Sequence, residues 1–121
     1  MEIWVNPACS KCHAATSAFD EAGIEYTVRR YLDEPPSPQE LTEVLNRLGL
    51  EPWDIARMSE SAAKEIGLGD IPRDAAYRDR WIAALVEHPI LIQRPLITAD
   101  DGTTVVGRDP DAIGRAINAE R

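Results

Sequence analysis

Cysteine is scarce in this chain. Only two occur in 121 residues, and they stand close together, at positions 9 and 12. Two cysteines cannot build the disulfide framework that staples small secreted domains. In a reducing compartment a close pair reads instead as redox or metal chemistry. Lysine is as rare: Lys11 and Lys64 are the only two, so eleven of the 13 basic residues are arginine. Against 21 acidic residues they leave a net charge of −8. A domain that coats nucleic acid needs basic surface to neutralise phosphates, so the charge argues against that role. No apolar run approaches the roughly 18 residues of a membrane span. No basic-then-apolar leader opens the chain, and Met1 runs directly into a strand-like segment. The expected location is therefore cytoplasmic.

What is present suits one domain. Hydrophobic residues make up 44% of the chain, enough for a compact core. Glu2–Val5 alternates like a short strand, and Asn6-Pro7 breaks it. From Ser10 to about Ala22, Ala14, Ala15, Ala18, Phe19 and Ala22 recur at helical spacing. Glu25–Arg30 reads as a second strand with Tyr26 and Val28 on one face. Ser37-Pro38-Gln39-Glu40 has the form of a capping box with proline at the first helical position, followed by a stripe of Leu41, Val44, Leu45 and Leu48. Pro52–Ile66 predicts one or two short helices. Arg73 to about His88 predicts another, with Trp81, Ile82, Leu85 and Val86 inward. Leu96–Thr98 and Thr103–Val106 flank Asp101-Gly102, a hairpin signal. Asp109-Pro110 opens a last helix through about Ala119, with Ile113 and Ile117 inward. The order β-α-β, several helices, then β-β-α is the plan of a thioredoxin-like α/β fold with a mixed four-stranded sheet. The expectation is one domain, 1–121, with a helical insertion at about 35–88. No internal repeat or low-complexity tract suggests a second domain.

Cys9-Ser10-Lys11-Cys12 lies between the first strand and the first helix. Cys9 at a helix N-terminus would face unpaired amides and the positive end of the helix dipole, which favour a thiolate. Lys11 is placed to add to that effect. Cys12, one turn on, is near enough to attack a species carried on Cys9. Other readings of the same residues exist. The pair could be two buried cysteines acting as small hydrophobes. Cys9-Ser10-Lys11-Cys12-His13 also fits the haem attachment pattern, with Met58 or His88 as the second axial ligand. Zinc would take Cys9, Cys12, His13 and His88, of which only one pair has metal-like spacing.

Arginine presents a planar fork suited to tetrahedral oxyanions. Three are suggestively placed: Arg57 in the insertion, Arg94 just before Pro95 and the third strand, and Arg108 between the fourth strand and the last helix. In a thioredoxin-like domain the loop before the third strand carries a cis-proline facing the catalytic cysteine. If Arg94-Pro95 is that loop, Arg94 lies beside Cys9.

Asn6-Pro7-Ala8-Cys9, Tyr31-Leu32 with Pro35-Pro36, Ile55-Ala56-Arg57 and, most specifically, the run from His88 to Pro95 resemble the glutaredoxin-coupled arsenate reductases, the ArsC family. The resemblance covers about Glu2 to Ala119. It implies a thioredoxin-like fold with a helical insertion, Cys9 as catalytic cysteine, and Arg57, Arg94 and Arg108 as oxyanion ligands. It implies that Cys9 attacks arsenate and that a second thiol reduces the adduct, with glutathione followed by glutaredoxin in that role. No metal or bound organic cofactor would be needed. The chain differs from the family pattern in having Val5 where a histidine is usual, and in having Cys12. Cys12 would replace the external thiol in the resolving step, and a thioredoxin-like protein or another small thiol would then restore the pair. Spx-type transcription regulators, which carry a C-x-x-C switch and bind RNA polymerase, are similar too. They have an aromatic residue where this acidic chain has Arg108. A general thiol oxidoreductase is the third reading. The remaining conspicuous residues read as structural: Trp4, Trp53 and Trp81 as packing, His13 as solvent-facing, His88 as the end of a helix, and Asp100 and Asp101 as turn chemistry.

Overall fold

A computed structural model describes residues 1–121. In chain order the elements are β1 (Glu2–Val5), α1 (Ser10–Glu21), β2 (Thr27–Arg30), α2 (Pro38–Leu48), α3 (Ser61–Glu65), α4 (Arg78–Glu87), β3 (Leu96–Thr98), β4 (Thr104–Val106) and α5 (Pro110–Glu120). Two compact units emerge, Met1–Glu34 with Arg94–Arg121, and Pro35–Gln93.

The first unit holds the sheet, in strand order β2-β1-β3-β4. β1 pairs parallel with β2, and antiparallel with β3, which pairs antiparallel with β4. This is the thioredoxin-like topology. Ile3 and Val5 point from β1 to the face that carries the core, where Ala15 and Phe19 of α1 meet Ile97, Val105, and Ala112 and Ala116 of α5. The alanines let the helices lie close to the sheet. Ile113 and Ile117, expected inward, border this core partly buried, and the two alanines occupy its centre. The Asp101-Gly102 turn forms as expected, with Gly102 at φ 93° and the Ala99 amide donating to the Thr103 carbonyl at 2.8 Å.

The second strand is shorter than expected, and Tyr26 and Val28 do not share one environment. Tyr26 precedes β2 and packs against Phe19, ring centroids 5.8 Å apart, with its hydroxyl donating to Asp20. Val28, on the edge strand, is 45% exposed. An alternation pattern cannot tell an edge strand, half covered at best, from a central one.

The second unit is the helical insertion. α2 begins with the capping box: the Glu40 amide donates to Ser37 Oγ and the Ser37 amide to Glu40 Oε1, at 3.1 and 3.0 Å. It ends at Gly49 in the left-handed region. α4 starts at Arg78 rather than Arg73, because a 3-10 turn at Ala75–Tyr77, capped by the Asp74 side chain, precedes it. Trp81, Ile82 and Leu85 are buried, while Val86 is only half-buried. Trp81 meets Trp53 edge to face at 6.0 Å and donates its indole N–H to the Pro72 carbonyl. No helix of the chain is long and apolar enough to cross a membrane.

Candidate active site

β1 aims the chain at the site, and Asn6 turns it. Asn6 is buried; its Oδ1 accepts the Ala8 amide and its carbonyl accepts the Cys9 amide, each at 3.0 Å. Cys9 is then the N-cap of α1, with φ −92° and ψ 120°. An N-cap residue sits over the first-turn amides that have no helical partner. Burial pushes the Cys9 thiol up, but hydrogen bonds from the Cys12 amide, the Cys12 thiol, the Arg94 side chain and the Lys11 amide outweigh it. They hold the group at about 7, against an ordinary 9.0. Lys11, expected to add to the effect, does so through its backbone amide. Cys12 has the opposite fate. Burial raises it first, and the neighbouring Cys9 thiol adds to the rise against an opposing hydrogen bond from the Asn6 backbone, so it reaches about 11. Two free, buried thiols in contact have therefore been driven apart in acidity, a poised nucleophile beside a protonated partner.

Arg94 reaches Cys9 from the loop before β3. The Arg94–Pro95 bond is cis, the geometry anticipated for that loop. Arg108 joins it from the end of β4, its Nη1 donating to the Arg94 carbonyl at 2.7 Å. Gly107, the residue before Arg108, packs closely against the cis-proline loop and β3. Its amide donates to the Pro95 carbonyl at 2.9 Å, and a Cβ there would overlap Ile97 Cδ1 and lie 3.3 Å from Pro95 Cγ. Cys9, Cys12, Arg94, Pro95 and Arg108 all belong to the first unit.

Arg57 lies in the second unit. There the segments around Ala56 and Ile92 pair, the Arg57 amide donating to the Leu91 carbonyl and the Gln93 amide to the Ile55 carbonyl. The Arg57 side chain is clasped by Glu60, 3.2 Å from Nε, and by Gln93, whose Oε1 accepts Nη1 at 2.7 Å.

Asn6, Gly107, Glu60 and Gln93 carry local functions that sequence reasoning did not assign. Asn6 was legible in principle, since an asparagine just before a helix start offers its own carbonyl to following amides. Gly107 was not, because its close neighbours are distant in sequence. His13 is exposed, its Nε2 3.0 Å from the Pro7 carbonyl, and His88 closes α4. No group of three or more His, Cys, Asp or Glu side chains is arranged to hold a metal ion.

Comparison with known proteins is consistent with this arrangement. The profile of the ArsC family matches residues 4–116. A Streptomyces viridochromogenes protein described as an uncharacterized protein in glnII region is 60% identical over 118 residues, 98% of this chain and 99% of that one. An arsenate reductase of Neisseria meningitidis is 38% identical over 109 residues, 89% and 90% of the two chains. The structure of an arsenate reductase from Vibrio cholerae superposes with a TM-score of 0.84 at 34% identity, covering 96% of this chain and 98% of the other.

Proposed function

Because this chain belongs to the ArsC family, we propose that it is a thiol-dependent oxidoreductase that reduces arsenate, or a closely similar oxyanion, to the trivalent state. The observation that supports this best is the Cys9 thiol at the mouth of α1, hydrogen-bonded by helix amides and Arg94 while Arg108 is tied to the Arg94 carbonyl. Cys9 attacks the pentavalent centre, forming a sulfur–arsenic bond and releasing hydroxide. Arg94 and Arg108 hold the remaining oxygens and offset their charge as it redistributes. Arg57 is assigned as the third oxyanion ligand on the family resemblance alone.

The Cys12 thiol then attacks the Cys9 sulfur. The sulfur–arsenic electron pair leaves with arsenic, which departs as arsenite after taking up the Cys12 proton, and a Cys9–Cys12 disulfide remains. An external thiol restores the pair; glutathione with glutaredoxin, or a thioredoxin-like protein, has the required chemistry. In this reading the chain works in the cytoplasm as a single domain, the insertion included.

The test is arsenite production by wild type, Cys9→Ser and Cys12→Ser, with each reductant system in turn. Cys9→Ser should abolish turnover, and full activity in that variant would overturn the proposal. The same cysteine pair suits an Spx-type redox switch. Formation of the disulfide with no turnover under any reductant would favour that reading.

A further inference from the structure

The end of β1, the start of α1 and the edge strand β2 enclose an open groove of about 180 Å³. Its walls include Val5, Pro7, Cys12, His13, Val28 and Arg30, but neither Cys9, Arg94 nor Arg108. Val28 is the chain's one exposed large aliphatic side chain. A groove with a redox cysteine in its wall, an apolar floor and a cation on its rim matches a small thiol that carries negative charge. Its volume admits the sulfur-bearing end of such a molecule and not a folded domain.

We propose that the reducing thiol enters along this groove and attacks the Cys12 sulfur of the Cys9–Cys12 disulfide, expelling Cys9 as its thiolate. The inference rests on the reading of these cysteines as a disulfide-forming pair. The incoming thiolate forms a bond to Cys12 sulfur, the Cys9–Cys12 bond breaks, and its electron pair stays on Cys9. A second molecule of the same thiol attacks the sulfur of the first. The small-molecule disulfide departs, and Cys12 leaves as a thiolate that takes up a proton from water.

Two arguments favour Cys12 over Cys9 as the target. Displacement at a disulfide is in line, so the attacking sulfur must approach from the side away from the leaving sulfur. The groove lies against Cys12 and not Cys9. The leaving group also matters, because a more acidic thiol departs faster. Cys9, held at about 7, leaves readily, whereas attack on Cys9 would have to expel Cys12, whose thiol sits at about 11. Bulk exposure slightly favours Cys9, at 9% against 4% for Cys12, so the assignment rests on the groove and the leaving group.

The experiment uses the full chain, oxidised and checked by intact mass for loss of two hydrogens. It is exposed briefly to glutathione, quenched in acid, alkylated, and mapped by peptide mass spectrometry. Glutathione should appear on Cys12 and the alkylating label on Cys9, with about a tenfold or larger excess of that isomer at the earliest times. The reverse pattern would overturn the proposal while leaving the disulfide reading intact. Failure to form any disulfide would instead remove the reading beneath it. Arg30→Glu should slow attack by glutathione and leave attack by the cationic thiol cysteamine unslowed. Equal effects on both thiols would reject the groove as the route.

Discussion

The acidity of Cys9 is the property on which the proposed chemistry turns, and it can be worked through from the geometry. At pH 7 a thiol at about 7 is roughly half ionised, while one at the ordinary 9.0 is only about one per cent ionised. The thiolate population is therefore about fifty times larger. A less basic thiolate is also a weaker nucleophile, by roughly eightfold over this interval at a Brønsted slope of 0.4–0.5. The net gain at pH 7 is about sixfold, and it vanishes at about pH 8, above which an unperturbed thiol would be the faster nucleophile. Alkylation by iodoacetamide, followed as a function of pH, should give a midpoint near 7 for wild type. Ultraviolet absorbance of the thiolates should show a second step near 11 for Cys12. Arg94→Ala should move the first midpoint upward without restoring 9.0, because the Cys12 and Lys11 amides and the Cys12 thiol still serve Cys9. A wild-type midpoint near 9, or one that Arg94→Ala leaves in place, would refute the reasoning.

Other consequences follow for stability and geometry. With Cys12 replaced by serine, Cys9 should make the native state more stable as pH rises from about 7 to 9, where the folded chain has released a proton the unfolded chain still binds. That contribution, at most on the order of 2–3 kcal/mol because the Cys12 thiol is itself one of the Cys9 donors, is lost as pH falls through 7; urea unfolding of Cys12→Ser against the double serine variant measures it. Gly107→Ala should cost about 1–3 kcal/mol by overpacking Ile97 and Pro95. Arsenate KM should rise with it as Arg108 is displaced, and unchanged stability would show that the site relaxes freely. Ser37→Ala breaks the capping box of α2 and should cost roughly 0.5–2 kcal/mol in thermal or urea unfolding.

Much of the fold was legible because its signals are local. The capping box at Ser37–Glu40, the Gly49 stop, the Asp101-Gly102 turn and the Asp109-Pro110 start each depend on residues within a few positions of one another. The strand-loop-helix setting of Cys9 was legible for the same reason. One error arose where non-local packing decides. Val28 has the alternation of a buried strand residue, yet β2 is an edge. A second error was local: Arg73–Tyr77 extends a helical pattern, yet Asp74 caps a 3-10 turn at Ala75–Tyr77 and α4 starts only at Arg78.

The sequence by itself determined the order of elements, the family, and which residue types would carry the chemistry. Short-range steric and capping rules, and a specific motif run from His88 to Pro95, are enough for that. Only the tertiary structure decided how those residues meet. It set Cys9 against Arg94, tied Arg108 to the Arg94 carbonyl, packed Gly107 against Ile97 and Pro95, and clasped Arg57 between Glu60 and Gln93. It also split the acidities of two cysteines that look alike in sequence. The physical reason is that a thiol's charge depends on which donors and how much water surround its sulfur, and folding brings those from residues far apart along the chain.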